Sequence, residues 1–423
     1  MYQSSGLPRR AFLGFELRAR RSSDDGRGGI EVLRVTPEGA AARAGVCPGD
    51  RLVQVNDHEV SDPRELAHHV RTLEAGKPLR FVVDRAGEKR TLVGEASPLP
   101  IERVANADVH LEHITVFEHR QRLLLTTPIG AKPPFTAVLY LQGLGTQSCE
   151  LSTDPDEPLR KLIEGFSASG LATLRVERSG AGDSEGPSIQ NTNFFAEIAA
   201  YRAALDFLAH EPIIKNVILF GHSVGGMIAP VLAGEGANLA GIAVFGTSAL
   251  RWVDCIVRAT RRQRQLAGMS GEELEEYVAD WAEMHTEVCR GGHLPFQVFA
   301  TRPHLGWMVG SGCHGETMFG RHASFFQELE RMDLVALWKT VRTNVLVMHG
   351  EYDWACGPDE GRALADAVAE VDAARVQFVE LSAVGHDMRR HASIEESYAS
   401  PRKGQWDERV VETFLKWAEE IAQ

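Results

Sequence analysis

The 423-residue sequence contains no run of about 18 uninterrupted apolar residues, so it offers no membrane-spanning helix. Its first residues, MYQSSGLPRRAFLGFELR, lack the apolar core of a secretory signal. The six cysteines (Cys47, Cys149, Cys255, Cys289, Cys313, Cys356) are scattered with no CxxC pair; in a chain this long they read as free thiols of a reducing compartment. Basic residues are outnumbered, and a net charge of −13 argues against a nucleic-acid surface. Internal repeats and low-complexity tracts are also missing. These absences lead us to expect a cytoplasmic protein with no nucleic-acid partner and no membrane span. What is present is ordinary globular composition, 43% hydrophobic and 24% charged, with length for two or three folded units.

Residues 12–96 have a rhythm of short strands. FLGFELRAR, IEVLRV, Leu52–Val55 and the pair in LRFVVDRAGEKRTLVGEA alternate with turns at SSDDGRGG, Pro48-Gly49-Asp50 and Ala86-Gly87. A small Ala-rich helix is expected in PEGAAARAG. A second follows the start signal Asp62-Pro63, with Leu66, Val70 and Leu73 on one face. Leu13-Gly14-Phe15, Ala40-Ala41-Ala42-x-Ala44-Gly45 and Pro48-Gly49-Asp50-x-Leu52 carry a resemblance to PDZ domains, most closely those attached to bacterial proteases. The resemblance covers residues 10–96 and implies docking of a partner's C-terminus as an added strand. It implies that Leu13, Gly14 and Phe15 hold the peptide carboxylate and that Leu66 and Val70 line the side-chain pocket.

Residues 97–108, with two prolines, read as a linker to a second unit over 109–423. There a strand pair (VHLEHITVFE, QRLLLTTP) precedes fully apolar strands, FTAVLYLQG, LATLRVE, NVILF, LAGIAVFG, NVLVMHG and VQFVEL, which alternate with helices. That pattern predicts an α/β fold with a doubly covered, mostly parallel sheet.

VILFGHSVGGMI places Ser223 in a G-x-S-x-G turn between a buried strand and a helix of small residues. This is the backbone arrangement that exposes a serine nucleophile. A serine hydroxyl also needs a base and an acid, which on such a sheet follow later strands in the order acid, then histidine. NVLVMHGEYD offers Asp353 and VQFVELSAVGHDM offers His386, each just after a strand. Glu351, Asp359 and Asp254 are competing carboxylates, and His349, at a strand end, reads as structural. The oxyanion donors are expected to be the N–H groups of Val224 and of Leu144 in the loop after AVLYLQG. Together Gly221-His222-Ser223-Val224-Gly225, His349-Gly350-Glu351-Tyr352-Asp353, Gly385-His386 and the loop ERSGAGDSEG resemble the α/β-hydrolase superfamily across residues 109–423. One departure is Gln142-Gly143, where many members have His-Gly.

About 90 residues, with an insertion over about 251–335, separate the fourth and fifth of these strands, LAGIAVFG and NVLVMHG. Ser270-Gly271-Glu272-Glu273 reads as a capping box, followed by Leu274, Val278, Trp281, Met284 and Val288 at helical spacing up to Gly291-Gly292. The resemblance implies a helical lid, and its Phe, Trp and Met content suggests an apolar acyl or aromatic pocket. His285, His293, His314 and His322 with Cys289 and Cys313 fit no standard zinc spacing, so neither a metal nor another cofactor is expected. The leading expectation is a serine hydrolase acting on small-molecule esters through an acyl-enzyme. The alternatives are a thioesterase or acyltransferase/cyclase releasing carrier-bound intermediates, a serine peptidase, or a non-catalytic PDZ scaffold. A homo-oligomer is left open.

Overall fold

The computed structural model describes residues 6–18, 29–37, 39–60, 66, 69–70, 72–152, 154–234 and 239–422. The chain divides into two compact units, with the boundary between Ile101 and Glu102.

The larger unit is built on a ten-stranded sheet. Six strands, in the order Ala172–Val176, Phe135–Leu141, Ile214–His222, Gly241–Phe245, Asn344–Tyr352 and Val376–Gly385, run parallel to their neighbours. Five of them are buried along most of their length, as a sheet covered on both faces requires; the sixth, Val376–Gly385, expected to be fully apolar, is buried only at Leu381, Val384 and Gly385 and exposes Gln377, Glu380 and Ser382. The hairpin Ala107–Val116/His119–Pro128 adds an antiparallel edge beside Ala172–Val176. At the other edge are two short strands, Arg389–Arg390 and Gln405–Trp406, that sequence patterning missed. Helices Phe194–His210, Val224–Gly234 and Pro358–Asp372 bury one face of the sheet, and Pro158–Ala168 and Arg409–Glu420 contribute to the core on the other. From Phe135–Leu141 the chain crosses to the strand on one side, Ala172–Val176, and then returns to the other side, Ile214–His222. The carboxyl ends of these strands therefore open a crevice at a topological switch point.

The insertion is mainly helical, with helices Trp252–Leu266, Gly271–His285, Pro295–Thr301 and Ala323–Glu330. Two details differ from expectation. Ser270 precedes the helix but makes no side-chain cap bond, and the helix ends in a wider π turn, Thr286–Arg290, before Gly291. A small three-stranded sheet, Cys313–His314, Thr317–Met318 and Arg321–His322, was not foreseen because its strands are two residues long.

The smaller unit holds a sheet in the order Phe15–Leu17, Ile30–Val35, Arg51–Val55, Pro78–Arg85, Glu88–Glu95, with Phe15–Leu17 at an edge that no other strand covers among the described residues. Gly14 breaks the strand before it at φ 74°, where a side chain would meet the Gly39 backbone at 2.6 Å. The helix Ala40–Ala44 ends on Gly45 as expected. Of the stretch expected as linker, Ser97–Pro98 pairs with Ala11–Phe12. The turn SSDDGRGG, apart from Gly29, and the start signal Asp62-Pro63 lie outside the described residues.

Candidate active site

Strand Ile214–His222 delivers the chain to Ser223, which turns it at φ 55° into the helix Val224–Gly234. Such a backbone angle is costly for a non-glycine residue and is tolerated where packing enforces it. Packing here is extreme: a Cβ on Gly225 would lie 2.0 Å from the Leu141 carbonyl oxygen. The Ser223 N–H donates to the Phe245 carbonyl at 3.0 Å and its own carbonyl accepts from Gly226 N–H at 2.9 Å, so the turn is pinned from both sides.

Asp353 and His386 are brought together from the ends of the next two parallel strands. His386 Nδ1 lies 2.8 Å from Asp353 Oδ2. The other carboxylate oxygen accepts from the N–H groups of Ala355 and Cys356, both at 2.8 Å. Asp353 is fully buried. Burial pushes its carboxyl up, but the His386 imidazole, His349 and the Cys356 N–H outweigh that and hold it below the ordinary value. For His386 burial lowers the pKa and the Asp353 charge more than compensates, leaving the imidazole raised. The competing carboxylates are engaged elsewhere: Glu351 accepts from the Ala383 N–H, Asp359 pairs with Arg258, and Asp254 pairs with Arg290. His349 is fully buried and its Nε2 lies 3.1 Å from the Cys356 carbonyl, bracing the acid loop.

Ser223 and His386 line one cavity of about 570 Å³, together with Gly143, Leu144 and Gly145 of the loop after Phe135–Leu141. The described hydrogen bonds of His386 are Nδ1 with Asp353 and its carbonyl with His222 Nε2, at 2.9 Å. A Cβ on Gly143 would lie 3.3 Å from Ser223 Cβ, so the loop runs directly past the serine. Val224 is buried at the first position of the helix. Gln142 donates from Nε2 to the Val176 carbonyl at 2.7 Å, while its N–H donates to the Tyr201 hydroxyl at 3.0 Å.

Sequence reasoning passed over three supporting residues. His222, the variable position of the elbow, is kept neutral because burial and the neighbouring His386 push its pKa down to about 4. Arg178, inside the ERSGAGDSEG loop, donates to the carbonyls of Gly143 (2.5 Å), Gly145 (2.6 Å) and Gln142 (3.3 Å). Glu197 pairs with Arg178 at 2.7 Å. A charged residue inside a loop of small ones was the available signal for Arg178. Nothing local marks Glu197.

The insertion's role departs from expectation. Tyr140, Leu144, Leu159, Leu162 and Met388 supply the cavity's apolar wall, and among the described residues none of its lining comes from 251–335. The insertion's aromatics instead pack on one another, as in Trp252–Phe326 with ring centres 5.0 Å apart and Trp281–Phe319 at 6.0 Å. Among the described residues, the acidic and metal-ligating side chains that converge closely enough to hold an ion are Cys255, Cys356 and Glu360. Burial pushes both Cys289 and Cys313 well up, and the hydrogen bond with Cys255 followed by burial does the same for Cys356, so these thiols stay protonated.

In the smaller unit, Leu13, Gly14, Phe15, Leu66 and Val70 all line a second cavity of about 520 Å³ with Leu17 and Leu99. It lies against the edge strand Phe15–Leu17. Among the described residues, no helix is long and apolar enough to cross a membrane.

Comparison with known proteins agrees with both units. Residues 11–93 match the family model of the PDZ domain. Among curated proteins, mouse Partitioning defective 3 homolog B is 29% identical over 167 residues, 39% of this chain and 13% of its own length. The zinc metalloprotease RasP of Geobacillus kaustophilus is 32% identical over 81 residues, 19% of each chain. This chain thus spans under a fifth of either relative. Solved structures similar to it include Est1E from Butyrivibrio proteoclasticus with ferulic acid bound, at 15% identity and TM-score 0.48 over 74% of this chain and 99% of that one. A thermophilic esterase from Thermogutta terrifontis gives 18% and 0.43 over 75% and 100%. The model of the Alpha/beta hydrolase family matches residues 153–396, more than half of the sequence, and with the sheet order and the strand–Ser223–helix turn this places the chain in the alpha/beta hydrolase family, with an N-terminal PDZ domain.

Proposed function

We propose that the larger unit is a serine hydrolase that cleaves carboxylic esters with apolar acyl groups, through an acyl-enzyme on Ser223. The observation that carries this reading is the meeting of Ser223 and the Asp353-bonded His386 in one cavity beside the Gly143–Gly145 loop. His386 Nε2 takes the Ser223 proton as Oγ attacks the ester carbonyl. Asp353, fixed by two backbone N–H groups, holds Nδ1 and stabilises the imidazolium. The Val224 and Leu144 N–H groups receive the oxyanion. His386 returns the proton to the leaving alcohol, and water then releases the acid by the same steps in reverse. The wall of Tyr140, Leu144, Leu159, Leu162 and Met388 favours an apolar acyl chain.

A panel of p-nitrophenyl esters, acyl thioesters and peptides tests the substrate class. Ester turnover that rises with acyl length supports this reading. Preference for thioesters would favour release of carrier-bound chains, and cleavage of peptides alone would overturn it in favour of a peptidase. The base must be neutral to act, and Asp353 raises the His386 pKa. Activity is therefore expected to be lost on the acid side, through a pKa above the ordinary histidine value of 6.5. Asp353→Asn should move that limb to lower pH; an unmoved limb in the kcat/KM profile would contradict the assignment.

For the smaller unit we propose capture of a partner's C-terminus along Phe15–Leu17, with its apolar last residue between Leu66 and Val70. Fluorescence anisotropy with peptides ending in Val, Leu or Phe should show binding that weakens at least about tenfold on C-terminal amidation or in Val70→Glu. Binding indifferent to amidation would argue against carboxylate recognition.

A further inference from the structure

Behind the Gly143–Gly145 loop lie three buried charges that the reaction above does not use: Arg178, Glu197 and Arg321. Glu197, on helix Phe194–His210, accepts from Arg178 Nε through Oε1 and from an Arg321 terminal nitrogen through Oε2, both at 2.7 Å. Arg321 belongs to the insertion, 124 residues away in sequence. Its guanidinium also donates to the Thr192 carbonyl at 3.4 Å and lies over the Phe325 ring at 4.1 Å, while Nε and the other terminal nitrogen have no hydrogen-bond partner. One carboxylate between two guanidiniums leaves this interior cluster with net positive charge.

Arg178 and Glu197 alone would already be neutral. Adding Arg321 is opposed by desolvation and by repulsion from Arg178. The other end of the cluster meets the loop. Arg178 donates to the Gly143 carbonyl, which belongs to the same peptide group as the Leu144 N–H. That peptide is trans, so its C=O and N–H point in opposite directions, and a cation on the oxygen fixes and polarises the N–H. Glu197 divides its two oxygens between the two arginines. Without Arg321 both oxygens are open to a bidentate pair with Arg178, which would draw the guanidinium off the loop carbonyls.

We propose that Arg321 is a positioning residue for the oxyanion hole: seated on Glu197, it keeps Arg178 on the Gly143 carbonyl and so couples the insertion to the Leu144 N–H. The catalytic consequence rests on the hydrolase reading; the coupling of insertion to loop does not.

The test uses the full chain with Arg321→Met, which removes the guanidinium and keeps an unbranched apolar side chain in the buried site. It is read by amide hydrogen exchange over residues 142–147 and by initial rates on p-nitrophenyl butyrate. The expected result is roughly tenfold faster exchange in that loop, with strands 214–222 and 344–352 unchanged. kcat should fall roughly tenfold with KM within about twofold, and Arg321→Lys should restore part of kcat. If Arg321→Met does not fold, Arg321→Leu, equally unable to hydrogen-bond Glu197, carries the same reading. Unchanged exchange at 142–147, or equal loosening of loop and strands, would overturn the coupling while leaving Ser223-dependent turnover intact. A loosened loop in a protein whose turnover survives Ser223→Ala would instead overturn the hydrolase reading and the catalytic half of this inference.

Discussion

Replacement of Ser223 by alanine is expected to lower ester turnover by about 10⁴-fold or more, with the thermal unfolding midpoint essentially unchanged. The size follows from what is removed. Without Oγ no acyl-enzyme forms, and the only catalysis left is water attacking a carbonyl polarised by Val224 and Leu144, which is worth roughly 10³–10⁴ over solution. The stability of the variant follows from how the turn is held. Ser223 is fixed by its backbone N–H and carbonyl, to Phe245 and from Gly226, and neither bond involves the hydroxyl. Initial rates on p-nitrophenyl butyrate measure the first effect and a melting curve the second. Retention of more than a tenth of the activity would remove Ser223 from the mechanism.

The largest structural effect is expected from Gly225→Ala. The added methyl would sit 2.0 Å from the Leu141 carbonyl oxygen, 2.5 Å from its carbon and 2.9 Å from the Gln142 oxygen. All three are backbone atoms where Phe135–Leu141 leads into the Gly143–Gly145 loop, so no side chain can swing away. The helix must lift off the sheet or the loop must move. A cost of about 3 kcal/mol is expected, at the upper end for overpacking, accompanied by loss of activity in the fraction that folds. Gly234→Ala, in the same helix, is the control. Its nearest neighbour would be the Thr340 hydroxyl at 3.5 Å, an ordinary contact, and alanine's helix propensity offsets any crowding. Chemical unfolding of the two variants measures the contrast, and equal midpoints would contradict the close helix–strand approach.

What could be read from the sequence divides by distance along the chain. Buried parallel strands announce themselves as apolar runs, and the residues that follow them, Ser223, Asp353 and His386, inherit their positions from the sheet. The G-x-S-x-G spacing reports a contact between adjacent elements, which is why it is local. Glu197 and Arg321 are a different case. They are 124 residues apart and their pairing depends on how the insertion folds back, so no spacing marks it. The insertion's aromatics suggested a substrate pocket because apolar composition is the same whether side chains face a ligand or each other. Trp252, Trp281, Phe319 and Phe326 face each other. Ser270-Gly271-Glu272-Glu273 correctly marked a helix start, but the sequence motif does not determine whether the serine side chain turns inward to cap it.

The central claim is that Ser223 is a nucleophile activated by His386. Labelling the full chain with a fluorophosphonate and mapping the modified peptide by mass spectrometry tests it most directly. The account predicts one adduct, on Ser223, formed rapidly in the wild type and slowed by orders of magnitude in His386→Ala. Labelling at another residue, or at Ser223 with a rate indifferent to His386, would contradict it.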